Sequence, residues 1–493
     1  MPGRRLDGGP SLNPAGQAPG ARTVQHTTLH RADDAQYART MHGSADPQPG
    51  TADWQAPAAS GPVQVRLRPP GSKSMTNRAL VLAALAGGPT MITNPLRARD
   101  TLLMAAALRG LGTVINEDTV PGPASGGQPE IWRVTPGQLG RAAVVDVGNA
   151  GTVLRFVPPV AALARVDVEF RGDARIASRP VGPLLAALRE LGAVIHDGGR
   201  GAVPFIVRGH GGISGGAVTL DASGSSQLVS GLLLAAPRYD KGVEMRHEGP
   251  RVPSAPHIAM TVQMLRDAGA HVETWTMGRE SSVPDRWQVH PGELRPPAVT
   301  VEPDLSNAAP FLAAALVTGG SVTIAGWPEH SLQPAGQILE VLTGMGATAG
   351  MTAHGMRVRG TGVIHGITAD LRDVSEIVPV LAALAALADA PSVFTGIGHM
   401  RTHESDRLAA LAGEIGALGG DLRELDDGLE IRPRRLRADG AVFASHDDHR
   451  LVMAAAVLGL AMPGGLRIGN AATVGKTFPA FTQMWSAMSE RAP

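Results

Sequence analysis

The sequence contains no cysteine, which removes disulfides, thiolate nucleophiles and cysteine-ligated zinc from consideration. Aromatic residues are only 3% of the chain, too few for the stacking platforms that hold single-stranded nucleic acid. Net charge is absent too: 44 basic residues meet 44 acidic ones. No global field therefore draws in nucleic acid or an anionic membrane, and any anion site has to be built locally. The apolar runs are alanine-rich and broken by Gly or Pro before they reach the roughly 18 residues of a membrane span. No compact export signal stands at the amino terminus. The expectation is a cytoplasmic protein without nucleic-acid or membrane partners.

What the chain does have is length, glycine and repetition. At 493 residues it exceeds one ordinary domain, and two are expected. Residues 1–61 carry "GGPSLNPAGQAPG" and "DPQPGTADWQAPAASGP", with no sustained period and too little apolar surface to offset the entropy of ordering. A disordered Gly/Pro/Ala-rich tail is expected there, with His26, His30 and His42 solvated.

Beyond the tail, an amphipathic helix ending in a Gly turn recurs as "LLMAAALRGLGTVI", "LLAALRELGAVI", "MTVQMLRDAGAHV", "ILEVLTGMGATA" and "LAALAGEIGALGGDL". Its turn glycines, Gly112, Gly192, Gly269, Gly346 and Gly419, lie 73–80 residues apart. A second, almost wholly apolar helix alternates with it and has to be buried on most sides. Its markers Arg78, Thr152, Gln227, Asn307, Glu376 and His449 step by 69–80 residues. Six copies of one α/β unit of about 75 residues follow, three packed into each of two domains.

The polar residues of these copies cluster at the openings of the apolar helices. "PPGSKSMTNRALVLAALAGG" puts Lys73 and Arg78 at a helix start, where the peptide dipole already favours anions and a cap is usually Asp, Ser or Thr. Something negative is expected to arrive there. "GNAGT" (148–152) is a Gly-rich turn that lets backbone N–H groups approach an anion. As bare sequence "SGSSQ" (223–227) is more often an N-cap and turn, and Glu376 could simply be a dipole-favoured cap. Openings that all face one way would line a cleft between the domains. Other chemistries fit worse. "GNAATVGKT" has five residues between Gly469 and Gly475, where a P-loop needs four. Neither His446–His449 nor the His399/His403 pair matches a zinc motif, and "GHGGISGG" lacks the acidic residue of a dinucleotide site.

The stretches "PGSKSMTNRAL", "GNAGTVLRF", "SRPVGPLLAAL", "SGSSQLVSGLLL", "HESDRLAAL", "DDHRLVMA" and "GKTFPAF" resemble those of the EPSP synthase family, and "VPSAPHIAM" looks most like its actinobacterial branch. The resemblance runs from about Val63 to the C-terminal region. It implies a two-domain enolpyruvyl transferase fold of six βαβαββ units: one domain from 62–71 and 303–493, the other from 72–302, with chain crossings near Gly71 and near Glu302–Asp304. It implies transfer of enolpyruvyl from phosphoenolpyruvate to the 5-hydroxyl of shikimate-3-phosphate through a tetrahedral intermediate, by a monomer needing no cofactor or metal. The sister transferase acting on UDP-N-acetylglucosamine, which usually carries a loop cysteine, and an inactive phosphometabolite-binding protein are the alternatives. By resemblance, Glu376 takes the hydroxyl proton, and Lys73 and Glu404 shuttle the C3 proton. Lys73, Ser74, Arg78, Ser225, Ser226, Gln227, Ser254, Glu376 and His403 would contact shikimate-3-phosphate. Lys73, Asn149, Gly151, Arg179, Gln227, Arg407, Arg450 and Lys476 would contact phosphoenolpyruvate. His403 stands where many relatives have Lys, which makes that contact titrate near neutral pH. The resemblance assigns no role to His257 or His399.

Overall fold

The computed structural model describes residues 53–119, 130–140, 143–277 and 283–490. Most of the expected tail, residues 1–52, lies outside these. Twelve α-helices occur among the described residues: α1 (Lys73–Ala84), α2 (Arg99–Leu111), α3 (Gly151–Ala161), α4 (Gly182–Glu190), α5 (Ser226–Ala235), α6 (Ala255–Asp267), α7 (Leu305–Thr318), α8 (Ala335–Gly344), α9 (Val378–Ala386), α10 (Arg407–Ala417), α11 (His449–Leu460) and α12 (Phe481–Glu490). The odd-numbered helices are the apolar ones. α9, "VPVLAALAA", is buried at every position, and each large aliphatic side chain removed from water there contributes about 1.5–3 kcal/mol. The even-numbered helices are the outer ones; α2, α4 and α6 each bury one face and carry arginine near the C-terminal end, as the dipole favours.

Two separate apolar cores result. The first runs from Met75 to Val301 and the second takes in Ala56–Leu67 and Leu305–Met488. The chain therefore passes between them at 68–74 and again at 302–304. The two passages lie side by side: Ser72 N donates to Glu302 O at 2.8 Å and Asp304 N to Pro70 O at 2.8 Å. Gly71 is required at this crossing, since a Cβ would meet Asn94 O at 2.1 Å.

Five of the six sheets repeat one pattern: two parallel strands, then a third and a fourth strand antiparallel to their neighbours. Val299–Thr300 supplies the first strand beside Thr90–Thr93, and Gln64–Leu67 the first strand beside Ser321–Ile324. Sequence-distant segments thus close each lobe on itself. The sixth sheet has three strands, and its antiparallel member is Trp54–Ala56, paired to Leu466–Gly469. The expected tail to residue 61 is therefore too long at its C-terminal end. Ala56 is wholly buried in the second core and the Trp54 ring meets Phe481 edge-on at 6.2 Å, so these few residues bury enough to be ordered.

Candidate active site

One cleft gathers the openings of α1, α3, α5, α6 and α7 together with Glu376 and the turns around residues 399–404, and encloses about 950 Å³ including its mouth. The puzzle of cations at a helix start resolves at α1. Asp304, the N-cap of α7, accepts from Asn307 N at 2.9 Å and from Lys73 N at 3.1 Å, so one carboxylate from the second lobe serves two helix starts. Ser72 caps α1 locally through Met75 N. Lys73 Nζ is then free to reach inward, 3.4 Å from Asp100 Oδ2. Burial pulls the Lys73 pKa down, but Asp100, Glu404 and Glu376 outweigh it and hold the ammonium above its usual 10.5.

Arg78 spends most of its donors on the fold: Nε to Thr261 Oγ1 (2.7 Å), Nη1 to Ser74 O (2.9 Å), and Nη2 to Ser230 Oγ (3.1 Å) and His257 O (3.0 Å). Arg155, one helical turn after Gly151, donates to Pro180 O at 3.0 Å and Gln227 Oε1 at 2.9 Å. Neither guanidinium has a carboxylate partner among the described residues. Burial lowers both to about 9, with Arg179 adding to the effect at Arg155, so both keep their charge at neutral pH. Gly151 makes this crowding possible, since a Cβ there would meet Arg179 Nη2 at 2.6 Å and Arg155 Nη1 at 2.8 Å.

Two buried carboxylates face this wall from the second lobe. Glu404 Oε1 lies 3.4 Å from Arg179 Nη1 and its Oε2 3.0 Å from Arg407 Nη2. Glu376 Oε2 lies 3.4 Å from both Arg407 Nη1 and Arg450 Nε. Burial would raise both carboxyls, yet Arg179, Arg407 and Lys73 at Glu404, and Arg407, Arg450 and His403 at Glu376, hold them well below the usual range. Both are ionised. Across the cleft, Arg175 Nε donates to Glu404 O at 3.2 Å. On the far side Ser254 and Ser375 hydroxyls meet at 3.1 Å and Arg251 pairs with Asp373 at 2.9 Å.

Of the expected site residues, Lys73, Ser74, Arg78, Gly151, Arg179, Ser225, Ser226, Gln227, Ser254, Glu376, His403, Glu404 and Arg450 line the cleft. Ser225 also caps α5 through Gln227 N, so the N-cap reading of "SGSSQ" is met by a residue on the cleft wall. Three expected residues do not reach the wall. Asn149 offers its carbonyl to Arg179 Nη1 at 3.0 Å from behind. Arg407 is fully buried at the start of α10, held by Asp448 (2.8 Å), Glu404 and Glu376. Lys476 Nζ is turned to Asp447 O at 2.5 Å. The expectation that His403 titrates near neutral pH is corrected. Burial, then Arg407, pushes its pKa well below 6.5 against the pull of Glu376 and Glu404. Arg407 Nη1 lies 3.1 Å from His403 Nδ1 and can only donate, so the proton sits on Nε2. His257 and His399 are likewise lowered to about 4 by burial. Sequence reasoning missed Arg155, His399 and Asp304. The i, i+4 relation of Gly151 to Arg155 was the available signal for the first.

Two lobes of repeated βαβαββ units around a cleft of buried cations and paired carboxylates define the enolpyruvyl transferase class. The fold is shared with a solved EPSP synthase from Acinetobacter baumannii, 24% identical, at a TM-score of 0.69 over 89% of this chain and 98% of that one. It is shared also with the enolpyruvyl transferase NikO from Streptomyces tendae, 18% identical, at 0.66 over 87% and 96%. The chain belongs to the EPSP synthase (3-phosphoshikimate 1-carboxyvinyltransferase) family, whose model matches residues 57–485. Among the described residues no helix is long and apolar enough to cross a membrane.

Proposed function

We propose that this protein transfers the enolpyruvyl group of phosphoenolpyruvate to the 5-hydroxyl of shikimate-3-phosphate, releasing phosphate, in the route to aromatic amino acids. The observation that carries the reading is the cleft's charge: Lys73, Arg78, Arg155, Arg179 and Arg450 line it against three carboxylates, Asp304, Glu376 and Glu404. Two phosphorylated acids, each bearing a carboxylate and a phosphate, suit that surplus of cations, and fixed cations stabilise the charge that moves during reaction.

Protonation of phosphoenolpyruvate C3 makes C2 electrophilic. The acceptor hydroxyl loses its proton to Glu376 and attacks C2, giving a tetrahedral ketal phosphate. Removal of a proton from the new methyl group restores the double bond as the C2–O bond to phosphate breaks. Lys73 and Glu404, linked through their shared field, are the groups for the two C3 transfers. Arg155 and Arg179 hold the phosphoenolpyruvate end. Ser225, Ser226, Ser254 and the Nε2–H of His403 contact the acceptor. Arg407, Asn149 and Lys476 act from behind the wall, with Arg407 fixing both carboxylates. Lobes at 72–302 and at 53–71 with 303–493, a monomeric state and a cytoplasmic location complete the reading.

The test is phosphate release from phosphoenolpyruvate with each acceptor. Turnover is expected with shikimate-3-phosphate. Turnover only with UDP-N-acetylglucosamine, or with neither acceptor, would overturn the assignment.

A further inference from the structure

The last hairpin of the first lobe carries a constellation the cleft does not use. Strands Val272–Trp275 and Arg286–Val289 pair in antiparallel register with Val272 opposite Val289. His271 and His290 therefore face each other one step beyond, tied by a His290 N to His271 O bond of 3.0 Å. Glu273 follows His271 by two residues, so its side chain shares the same face. The imidazoles stack at 4.4 Å with an interplanar angle of 13°. Both point Nε2 toward one carboxylate oxygen: Glu273 Oε1 lies 2.9 Å from His290 and 3.9 Å from His271. The three donor atoms all lie within 4.8 Å of one another.

The surroundings leave this carboxylate to the imidazoles. Arg286, on the same face, is held by Glu244 at 2.6 Å and laid over the Trp275 ring at 4.7 Å. Among the described residues no arginine or lysine comes within ion-pair distance of Glu273. Donors around one tetrahedral ion, bonded at 2.0–2.2 Å, stand about 3.3 Å apart, and the two observed separations bracket that value. The side chains are between about a third and seven-tenths exposed, so rotating them into line costs little packing. We propose that His271, Glu273 and His290 form a binding site for a divalent transition-metal ion of the zinc class, outside the cleft, with water completing the coordination. Two imidazoles and one carboxylate favour Zn²⁺, Ni²⁺ or Cu²⁺ over Mg²⁺ or Ca²⁺, which take oxygen donors. A bound ion would staple the two open ends of the hairpin to each other.

The experiment is calorimetric titration of the chelator-treated full chain with Zn²⁺, with Mg²⁺ as control, alongside thermal unfolding. One saturable Zn²⁺ equivalent, a raised Tm and no Mg²⁺ response are expected. H271A/H290A should weaken binding at least thirtyfold and Glu273→Gln at least tenfold, with kcat unchanged. Glu273→Gln alone decides the matter should the double variant fold poorly. No saturable binding, or binding undiminished in these variants, would overturn the proposal. Zinc held instead by His257, His399 and His403 in the cleft would show itself by inhibiting turnover and by surviving H271A/H290A, and that outcome also overturns it.

Discussion

The two lobes contribute opposite chemistry to one cleft. The wall from the first lobe carries Lys73, Arg78, Arg155, Arg179 and a run of serines with no carboxylate. The wall from the second carries Asp304, Glu376 and Glu404, with Arg450 as its cation, and the imidazoles of His399 and His403. Both walls are built the same way, from the openings of three buried helices and their flanking turns, so the difference lies in side chains grafted onto equivalent positions. On the proposed mechanism the first lobe chiefly holds anions, with Lys73 sharing in the proton transfers, and the second supplies the carboxylate bases. The cationic wall is also the more costly in isolation, since Arg78 and Arg155 are buried without counter-charges and desolvated charge is unfavourable until paired.

The comparison breaks most visibly at Glu376. Glu376→Gln removes the proposed proton acceptor while leaving the cationic wall intact, and steady-state kinetics should show kcat reduced about 10²–10⁴-fold with KM little changed. A pH series sharpens the contrast next. His257 and His399, at about 4 in the fold, have an unfolded value near 6.5. The unfolded chain thus binds more protons between those values, and stability rises with pH there. It is complete above about pH 7 and lost as pH falls toward 4, by roughly 3 kcal/mol for His257 alone. Denaturant titrations at pH 7.5 and 5 should show this loss, and His257→Gln should reduce it. A Cβ at Gly151 pushes on two guanidiniums pinned by Asn149 O and Pro180 O. Gly151→Ala should raise KM for phosphoenolpyruvate about tenfold with kcat within threefold. The smallest effect belongs to the strand that completes the second lobe. Trp54→Ala loses an edge contact worth about 1 kcal/mol and should lower Tm by roughly 2 °C without changing kcat.

Much of this architecture was legible in the chain because burial on all sides leaves a plain mark, as "VPVLAALAALA" does, and because the mark recurs. The site was legible where chemistry sits at a helix opening: Lys73, Gly151, Ser225 and Glu376 all do. Arg155 escaped because it lies a turn inside α3, meeting the cleft beside Gly151. Arg407 shows the converse, for "HESDR" identifies the residue but not that three carboxylates turn it away from the wall. The neutrality of His403 depends on a burial that no motif encodes. Trp54–Ala56 was lost in a Gly/Pro-rich stretch because three residues are too short for an alternation to register.

The division of labour is tested most directly by single-turnover kinetics on Arg155→Gln and Glu404→Gln, with phosphoenolpyruvate affinity measured in parallel. The account predicts that the first variant binds at least thirtyfold more weakly yet reacts near the normal rate once saturated. The second should bind within about threefold of normal and react at least a hundredfold more slowly. Both variants failing at the same step, whether binding or chemistry, would contradict it.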